Sequence, residues 1–493
     1  MDLGPIESLS YFVPELILGV AVIALILVDL FVSRKELLGL GALIAVVLAL
    51  IAVVWTLPER GDAFLFNRMV VHDQFGVFFK VVFTLATFAT VWMSLDSREV
   101  DRVSQGEYYA LLVAATLGMF FMATATNLLM AYLALEFVSL ASYVLTGTLR
   151  HNRRSGEASL KYLIYGAVAS GTMIYGMSWI FGLSGTMDYA GIHAALAAGQ
   201  GGSLTLLIAV LLTLAGFGYK IAAVPFHMWA PDVYTGAPIP VTAFLSVGSK
   251  AAGFALVLRF FYPALSTLGA DGQWHALGGA GWPQVILILS VLTMTVGNLA
   301  ALQQSNIKRL LAYSSIAHAG YMLMGLVVLS DEGLRSILFY LMMYYMMNIG
   351  AFAIVMLVAN VTGREDFEGF RGLAWRGGAI PAVAMAVFLF SLAGLPPLAG
   401  FIGKFYLFAA VIRGEFYTLA LVGALNSVVS LYYYARIVRT MFLDQPTGGE
   451  ATIELDWSTG GLVAALALGT VVFGVYWAPA INLADRSARF FLG

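Results

Sequence analysis

LAGFGYK (Leu214 to Lys220) and LAGFIGK (Leu398 to Lys404) are near-copies of one phrase, each set in strongly apolar surroundings and each ending on a lysine. An ammonium near the middle of a membrane span costs about 3 kcal/mol or more, so such lysines face a bundle interior or a water path. Two of them in matching positions predict a duplicated transport unit.

The surroundings decide the solvent. Of the 493 residues 60% are hydrophobic and 11% charged, and the mean hydropathy is strongly positive, which is the composition of an integral membrane protein. No stretch is polar enough for a soluble domain. Cysteine is absent, which excludes disulfides and thiolate-bound clusters, and no GxGxxG fingerprint or P-loop is present. The histidines, His72, His151, His193, His227, His275 and His318, are scattered with no i, i+4 pair, so no prosthetic group is expected in this chain. The start, MDLGPIESLS, has acids and no basic region, and is expected to be a retained lead into the first span, not a cleaved signal.

A span needs about 20 apolar residues, and the pattern predicts an all-α fold of about fourteen of them. They fall near 11–32, 38–57, 75–94, 108–125, 127–149, 160–183, 204–229, 239–262, 282–302, 308–329, 334–361, 379–412, 416–441 and 460–482. The loops after odd-numbered spans hold Arg34, Lys35, Arg98, Arg102, Arg150, Arg153, Arg154, Lys161, Lys308, Arg309, Arg364, Arg371, Arg376, Arg436 and Arg439. The other loops and the tail hold only Arg60, Arg68, Arg335, Arg413, Arg486 and Arg489. Positive charge stays on the cytoplasmic side, so both termini are expected on the opposite one.

The remaining cations lie in or at the ends of spans: Lys80, Lys220, Lys250, Arg259 and Lys404. Lys80 and Arg259 are near span ends, where a long side chain is expected to snorkel to the interface. The other three lie deeper, either as structural ion pairs or as functional charges, the default inside a membrane.

Among the acids Glu136 is mid-span, and Tyr132, Glu136, Ser139 and Tyr143 recur at helical spacing as one polar stripe. Similar stripes are Ser314, His318 and Tyr321; Tyr340, Tyr344 and Asn348; and Thr242, Ser246 and Lys250. In a bilayer each must face protein or internal water. Each alone is compatible with ordinary interhelical hydrogen bonding; together they outline a polar file. Helix breakers mark the same places. Pro225 follows Lys220 by five residues and is expected to free the Ile221 carbonyl, and Pro396 and Pro397 precede Lys404 by about two turns. Breaks at corresponding positions of two repeats point to a transport site, although a proline kink also occurs without function. The repeat is diverged: the offset that joins the two lysine phrases carries Lys250 onto Tyr434, and the span matching that of Glu136 has His318 as its only ionisable side chain within the apolar run.

Three longer runs carry a family resemblance: YKIAAVPFHMWAPDVYTGAPIPVTAFLSVGSKAAGFA (Tyr219 to Ala255), NIKRLLAYSSIAHAGY (Asn306 to Tyr321) and SLAGLPPLAGFIGKF (Ser391 to Phe405). The chain resembles the antiporter-like membrane subunits of respiratory complex I over nearly its whole length. Within them it is most similar to the subunit N (subunit 2) branch. SVGSKAAGF has lysine where L and M usually have histidine, Lys404 replaces the glutamate usual in M, and a long lateral helix of the L type is not expected after the fourteenth span.

The resemblance implies two inverted five-helix repeats, spans 4–8 (107–265) and 9–13 (280–443), with broken helices 7 and 12, preceded by three helices (1–106) and followed by a loop and a last helix (444–493). It further implies that Glu136, Lys220, Lys250 and Lys404 form a central proton path, supported by His318, Tyr132, Ser139, Tyr143, Ser246, Tyr344 and Asn348. His227 and Asp232 belong to a signature whose role is left between fold and function. The implied activity is proton translocation as a subunit of NADH-quinone oxidoreductase in a bacterial inner membrane. NADH, FMN, iron–sulfur clusters and quinone are expected in partner subunits and no cofactor in this chain; the expected neighbours are subunits M and K and lipid, and not nucleic acid. Two other readings stand beside it, a subunit of a multi-subunit sodium/proton antiporter and a mainly structural scaffold.

Overall fold

A computed structural model describes residues 2–56, 62–100, 105–200, 202–270, 273–279, 281–446, 452–453 and 455–488. Arg60, Arg102 and Arg489 of the charge count lie outside them. In hydrocarbon every backbone N–H and C=O must be satisfied within the chain, which for an open chain means helices. The helices include α1 (Val13–Phe31), α2 (Glu36–Trp55), α3 (Gln74–Leu95), α4 (Gln105–Thr124), α5 (Leu128–Thr146), α6 (Arg153–Ser184), α7 (Ser203–Ile221), α8 (Trp229–Gly236), α9 (Ile239–Leu265), α10 (Trp282–Leu302), α11 (Ile307–Val327), α12 (Asp331–Thr362), α13 (Ala379–Ala393), α14 (Ala399–Arg413), α15 (Tyr417–Phe442), α16 (Trp457–Val475) and α17 (Ala478–Ala488). Among the described residues thirteen helices are long and apolar enough to cross a membrane, or up to fourteen spans when a bent pair ending on α13 is counted.

Short polar side chains set the ends. Asp73, Asn127, Asn152, Asn306 and Ser330 accept from first-turn amides, and Gly185 and Gly363 close the two longest helices in the left-handed conformation, as capping rules require. The Asn152 cap starts α6 at Arg153, two turns before the expected 160, so Arg153, Arg154 and Lys161 lie on a helix and not in a loop. Two antiparallel hairpins, Ala63–Leu65 with Val70–His72 and Ser266–Leu268 with Trp274–Ala276, lie on the side of the loops poor in positive charge.

Both predicted breaks are present, with different details from those expected. Pro225 is not inside a helix: α7 stops four residues earlier at Ile221, where Ala222 takes φ +58°. The Ala223 amide turns back to the Gly218 carbonyl at 2.8 Å, and the Trp229 indole donates to the Tyr219 carbonyl at 2.9 Å. The chain is helical again in α8. In the twelfth, α13 and α14 have 15 residues each, about 22 Å and too short to cross alone. The last span, expected to reach 482, ends at Val475; Pro479 instead opens α17 near its N-terminus.

The two cations expected to snorkel do not. Lys80 is 3% exposed and pairs with Glu15 of α1 at 2.5 Å. Arg259 is fully buried, forks onto the Asp73 carboxylate and donates to the Ala123 carbonyl at 2.9 Å. The carboxylates come from segments remote in sequence, which a span-by-span reading does not see. In the middle of the molecule α9 and α11 are buried along almost all their length, whereas most of α1 and α16 faces outward. The buried centre holds the site.

Candidate functional site

Lys220, Lys250 and Lys404 are 2%, 2% and 4% exposed, and among the described residues none forms an ion pair. Their ammonium groups are held by neutral oxygens. Lys220 ends α7 and donates to Ser139 of α5 at 3.1 Å. Ser139 lies one turn from Glu136 on the same face, and Glu136, half-buried, accepts a hydrogen bond from Ser170 of α6. Glu136 is the charged group within electrostatic reach of Lys220.

The next step is a close approach of backbone to side chain. A Cβ at Gly253 would lie 3.3 Å from the Lys220 Cγ and 2.7 Å from Ile221, so glycine there lets α9 lie directly on the lysine stem. Lys250, one turn before Gly253, donates to the Ser315 carbonyl at 2.6 Å and its hydroxyl at 2.8 Å. It follows a π-helical turn, Leu245–Ser249, a local widening common at functional sites. Asn348 of α12 donates to Ser246 in that turn at 2.7 Å.

Ser315 is one turn from His318 on α11. The imidazole meets the Tyr340 hydroxyl at 2.6 Å through Nδ1 and the Tyr434 hydroxyl at 3.1 Å through Nε2, with Tyr344 beside its ring. His318 lies within electrostatic reach of both Lys250 and Lys404. Lys404 stands 4.6 Å from the Tyr321 ring centroid, a cation–π contact, and donates to the Ala393 carbonyl at 2.9 Å and Ser427 at 3.3 Å. Gly394, at φ +88°, closes α13 and leaves room for the lysine, since a Cβ there would lie 2.8 Å from its Cδ.

Of the residues singled out in the sequence, Glu136, Ser139, Lys220, Ser246, Lys250, His318, Tyr344, Asn348 and Lys404 therefore lie along this buried array. Tyr143 packs edge-on against Tyr162 beside Tyr219. Tyr132 stands apart, half-buried on the outer side of α5. His227 is buried in the α7–α8 break. Asp232 lies at the basic-loop end of α8, accepting from Lys161 at 2.7 Å and Arg309 at 2.5 Å; burial would raise its carboxyl, but the two cations outweigh it and hold it below the usual carboxylate range. Ser170, Ser315, Ser427, Asn298 and Tyr434 are further partners beyond the sequence-predicted residues. Of these only Tyr434 carried a signal, through its match to Lys250 in the repeat. Among the described residues no group of three or more His, Asp or Glu could hold a metal ion.

Residues 125–430 match the family described as NADH:quinone oxidoreductase/Mrp antiporter membrane proteins. The chain is 46% identical to NADH-quinone oxidoreductase subunit N of Anaeromyxobacter sp. (strain Fw109-5), covering 99% of this chain and 98% of the relative. It is 47% identical to subunit N 2 of Sorangium cellulosum (strain So ce56), covering 98% of both. Among solved structures it resembles a chain of respiratory complex I from Thermus thermophilus with TM-score 0.80, 32% identity and coverage of 96% of this chain and 99% of that one. A chain of the Mrp complex from Dietzia sp. DQ12-45-1b shares the fold at 21% identity with TM-score 0.82, covering 98% of this chain and 97% of that one. The buried lysines, hydroxyls and imidazole form one array through the helical bundle, and the chain belongs to the NADH-quinone oxidoreductase subunit N family.

Proposed function

We propose that this subunit translocates protons along the file Glu136, Lys220, Lys250, His318 and Lys404 within NADH-quinone oxidoreductase. The observation that carries the reading is the set of three buried lysines without ion pairs, joined by hydroxyls and one imidazole. A structural lysine at this depth would be matched by a carboxylate, as Lys80 and Arg259 are. Asn348 Oδ1 and the Tyr344 hydroxyl are buried without a protein partner, which favours internal water as part of the file.

The mechanism rests on charge coupling. Burial favours a neutral amine and a neighbouring carboxylate the ammonium, so protonating or displacing Glu136 changes the proton affinity of Lys220. The change passes to Lys250 across Gly253, and onward through His318 to Lys404. Driving one charge against about 180 mV takes about 4 kcal/mol. That energy comes from redox chemistry elsewhere in the complex, with NADH, FMN, iron–sulfur clusters and quinone assigned to partner subunits. Spans 4–8 and 9–13 are the two repeats of this path. Subunits M and K are the proposed neighbours and a bacterial inner membrane the proposed location. Tyr132, on the outer side of α5, is the proposed contact between Glu136 and a neighbour.

The Mrp relationship supports a shared fold, and the subunit N relatives at 46–47% identity favour the redox complex over a sodium/proton antiporter. The test is Lys220→Ala in the intact complex, reconstituted in proteoliposomes. Proton pumping and NADH-quinone turnover should both fall, while electron transfer from NADH to an artificial acceptor stays normal. Full pumping in that variant would favour the scaffold reading.

A further inference from the structure

The break between α7 and α8 is held open by groups that the central file does not use. Ala222, which ends α7, is an alanine at φ +58°, a left-handed conformation that a residue with a Cβ adopts only against a steric cost. In a continuous helix the Ala223 and Val224 amides would donate to the carbonyls four residues back, those of Tyr219 and Lys220. The Ala223 amide reaches the Gly218 carbonyl instead, and the Tyr219 carbonyl accepts from the Trp229 indole. The Val224 amide turns to another helix and donates at 3.0 Å to the Thr293 hydroxyl of α10.

Thr293 is oriented for that contact. It is fully buried, and its own proton is committed to the Leu289 carbonyl one turn back on α10 at 2.5 Å, so toward the break the hydroxyl can only accept. A buried amide without that acceptor would be costly. Trp229 holds the other end of the break and is itself fixed, with its ring stacked on Tyr162 at 4.3 Å between centroids. α10 is seated in turn on α11: Ser290 donates to the Gly320 carbonyl at 2.8 Å, and a Cβ at Gly320 would lie 2.5 Å from the Met294 amide nitrogen. The break beside Lys220 is thus tied to the helix that carries Ser315 and His318.

We propose that Thr293 is a positioning residue for Lys220: its hydroxyl keeps the Val224 amide off the Lys220 carbonyl, and together with Trp229 it holds Ala222 in the left-handed turn that ends α7 one residue after the lysine. This rests on the proton path of the preceding section and adds what fixes the geometry of its first lysine. The consequence is electrostatic. Lys220 lies in the last turn of α7, where the negative end of a helix favours an ammonium. With the two amides back on their helical carbonyls, α7 would run on past Lys220 and that end would move away from it. Glu136, the charged group within reach of Lys220, is on α5 and would stay in place. Thr293 itself carries no proton in the path.

The experiment compares Thr293→Val, Thr293→Ser and Thr293→Val combined with Ala222→Gly in the assembled complex in proteoliposomes, with Lys220→Ala as reference. It scores proton pumping, NADH-quinone turnover across pH and NADH oxidation by an artificial acceptor. Valine keeps the shape and removes the acceptor, so pumping-coupled turnover should fall about tenfold and its pH optimum should move about half a unit to lower pH, with oxidation by the artificial acceptor unchanged. Serine keeps the acceptor and should stay close to the unaltered protein in both. Glycine takes a positive φ without steric cost, so the double variant should regain about threefold or more of the lost turnover and move the optimum back, which a loss of packing at Thr293 would not allow. Normal pumping with an unmoved optimum in Thr293→Val, while Lys220→Ala fails, would overturn the role of Thr293 and leave the proton path standing. Equal loss in the valine and serine variants, a loss with an unmoved optimum, or a Thr293→Val defect, in assembly or in turnover, that Ala222→Gly does not relieve would each overturn it as well. Normal pumping in Lys220→Ala would remove the path itself, and the role of Thr293 with it.

Discussion

At the scale of single residues, burial separates two kinds of membrane cation. Lys80 and Arg259 sit against carboxylates that compensate them; Lys220, Lys250 and Lys404 sit against serines, carbonyls and a tyrosine face, groups that stabilise an ammonium without fixing it. Only the second kind can give up its proton without leaving a carboxylate stranded. Lys220→Arg should therefore restore pumping poorly in proteoliposomes, because a guanidinium is effectively always protonated; full recovery would mean that a fixed charge suffices. Gly253→Val should act through the same lysine. Its branched side chain would be forced onto Lys220 Cγ and Ile221, an overpacking cost of about 1–3 kcal/mol. The expected result is reduced pumping together with a lowered melting temperature of the purified complex, and a variant unchanged in both would show that the contact has slack.

At the scale of elements, the breaks in α7–α8 and α13–α14 and the π-turn before Lys250 place the three lysines where helices stop being regular. Unused backbone groups there are met by side chains of other helices, as with the Trp229 indole and the Lys404 ammonium. The first three spans are attached by another device, the buried Asp73–Arg259 fork between the start of α3 and α9. Removing one partner leaves an uncompensated buried charge, so Arg259→Met should destabilise the subunit by about 3–5 kcal/mol. Arg259→Met combined with Asp73→Asn, which removes the charge but keeps the side-chain oxygen that caps α3, should recover most of that. Thermal denaturation of the purified complex measures both, and a double variant as weak as the single one would show that the fork is needed for geometry and not only for charge balance.

At the scale of the whole molecule, the basic-loop side is tied across helices far apart in sequence. Asp232 of α8 bridges Lys161 of α6 and Arg309 of α11, and the buried Lys308 joins the Ala237 carbonyl to Glu365. Asp232 is partly exposed, so its pairs are worth up to about 1 kcal/mol. Its carboxyl is held below the usual range, so the contribution is complete above the ordinary carboxylate value and lost as pH falls through the folded one. Asp232→Asn should lower the melting temperature slightly at neutral pH, and its difference from the unaltered protein should vanish in acid; a difference that persisted in acid would assign Asp232 a role other than charge pairing.

What the amino-acid order determined by itself is what local chemistry can report. Apolar runs of about 20 residues mark spans, the LAGFGYK and LAGFIGK phrases mark a repeat, and Lys220, Lys250, Lys404 and Glu136 are legible because a charge in such a run is costly enough to need a reason. Prolines announced both breaks, though not that α7 would end ahead of Pro225, since Ala222 and not the proline turns the chain. The tertiary structure decided the partners. That Lys80 and Arg259 are compensated while the three file lysines are not depends on Glu15 and Asp73, which come from remote segments. The placement of Ser170, Ser315, Ser427 and Asn298 depends on which face each helix turns to its neighbours. Lone serines and asparagines carry no periodic signal in a hydrophobic run, and only the packing of the helices gives them a charge to hold.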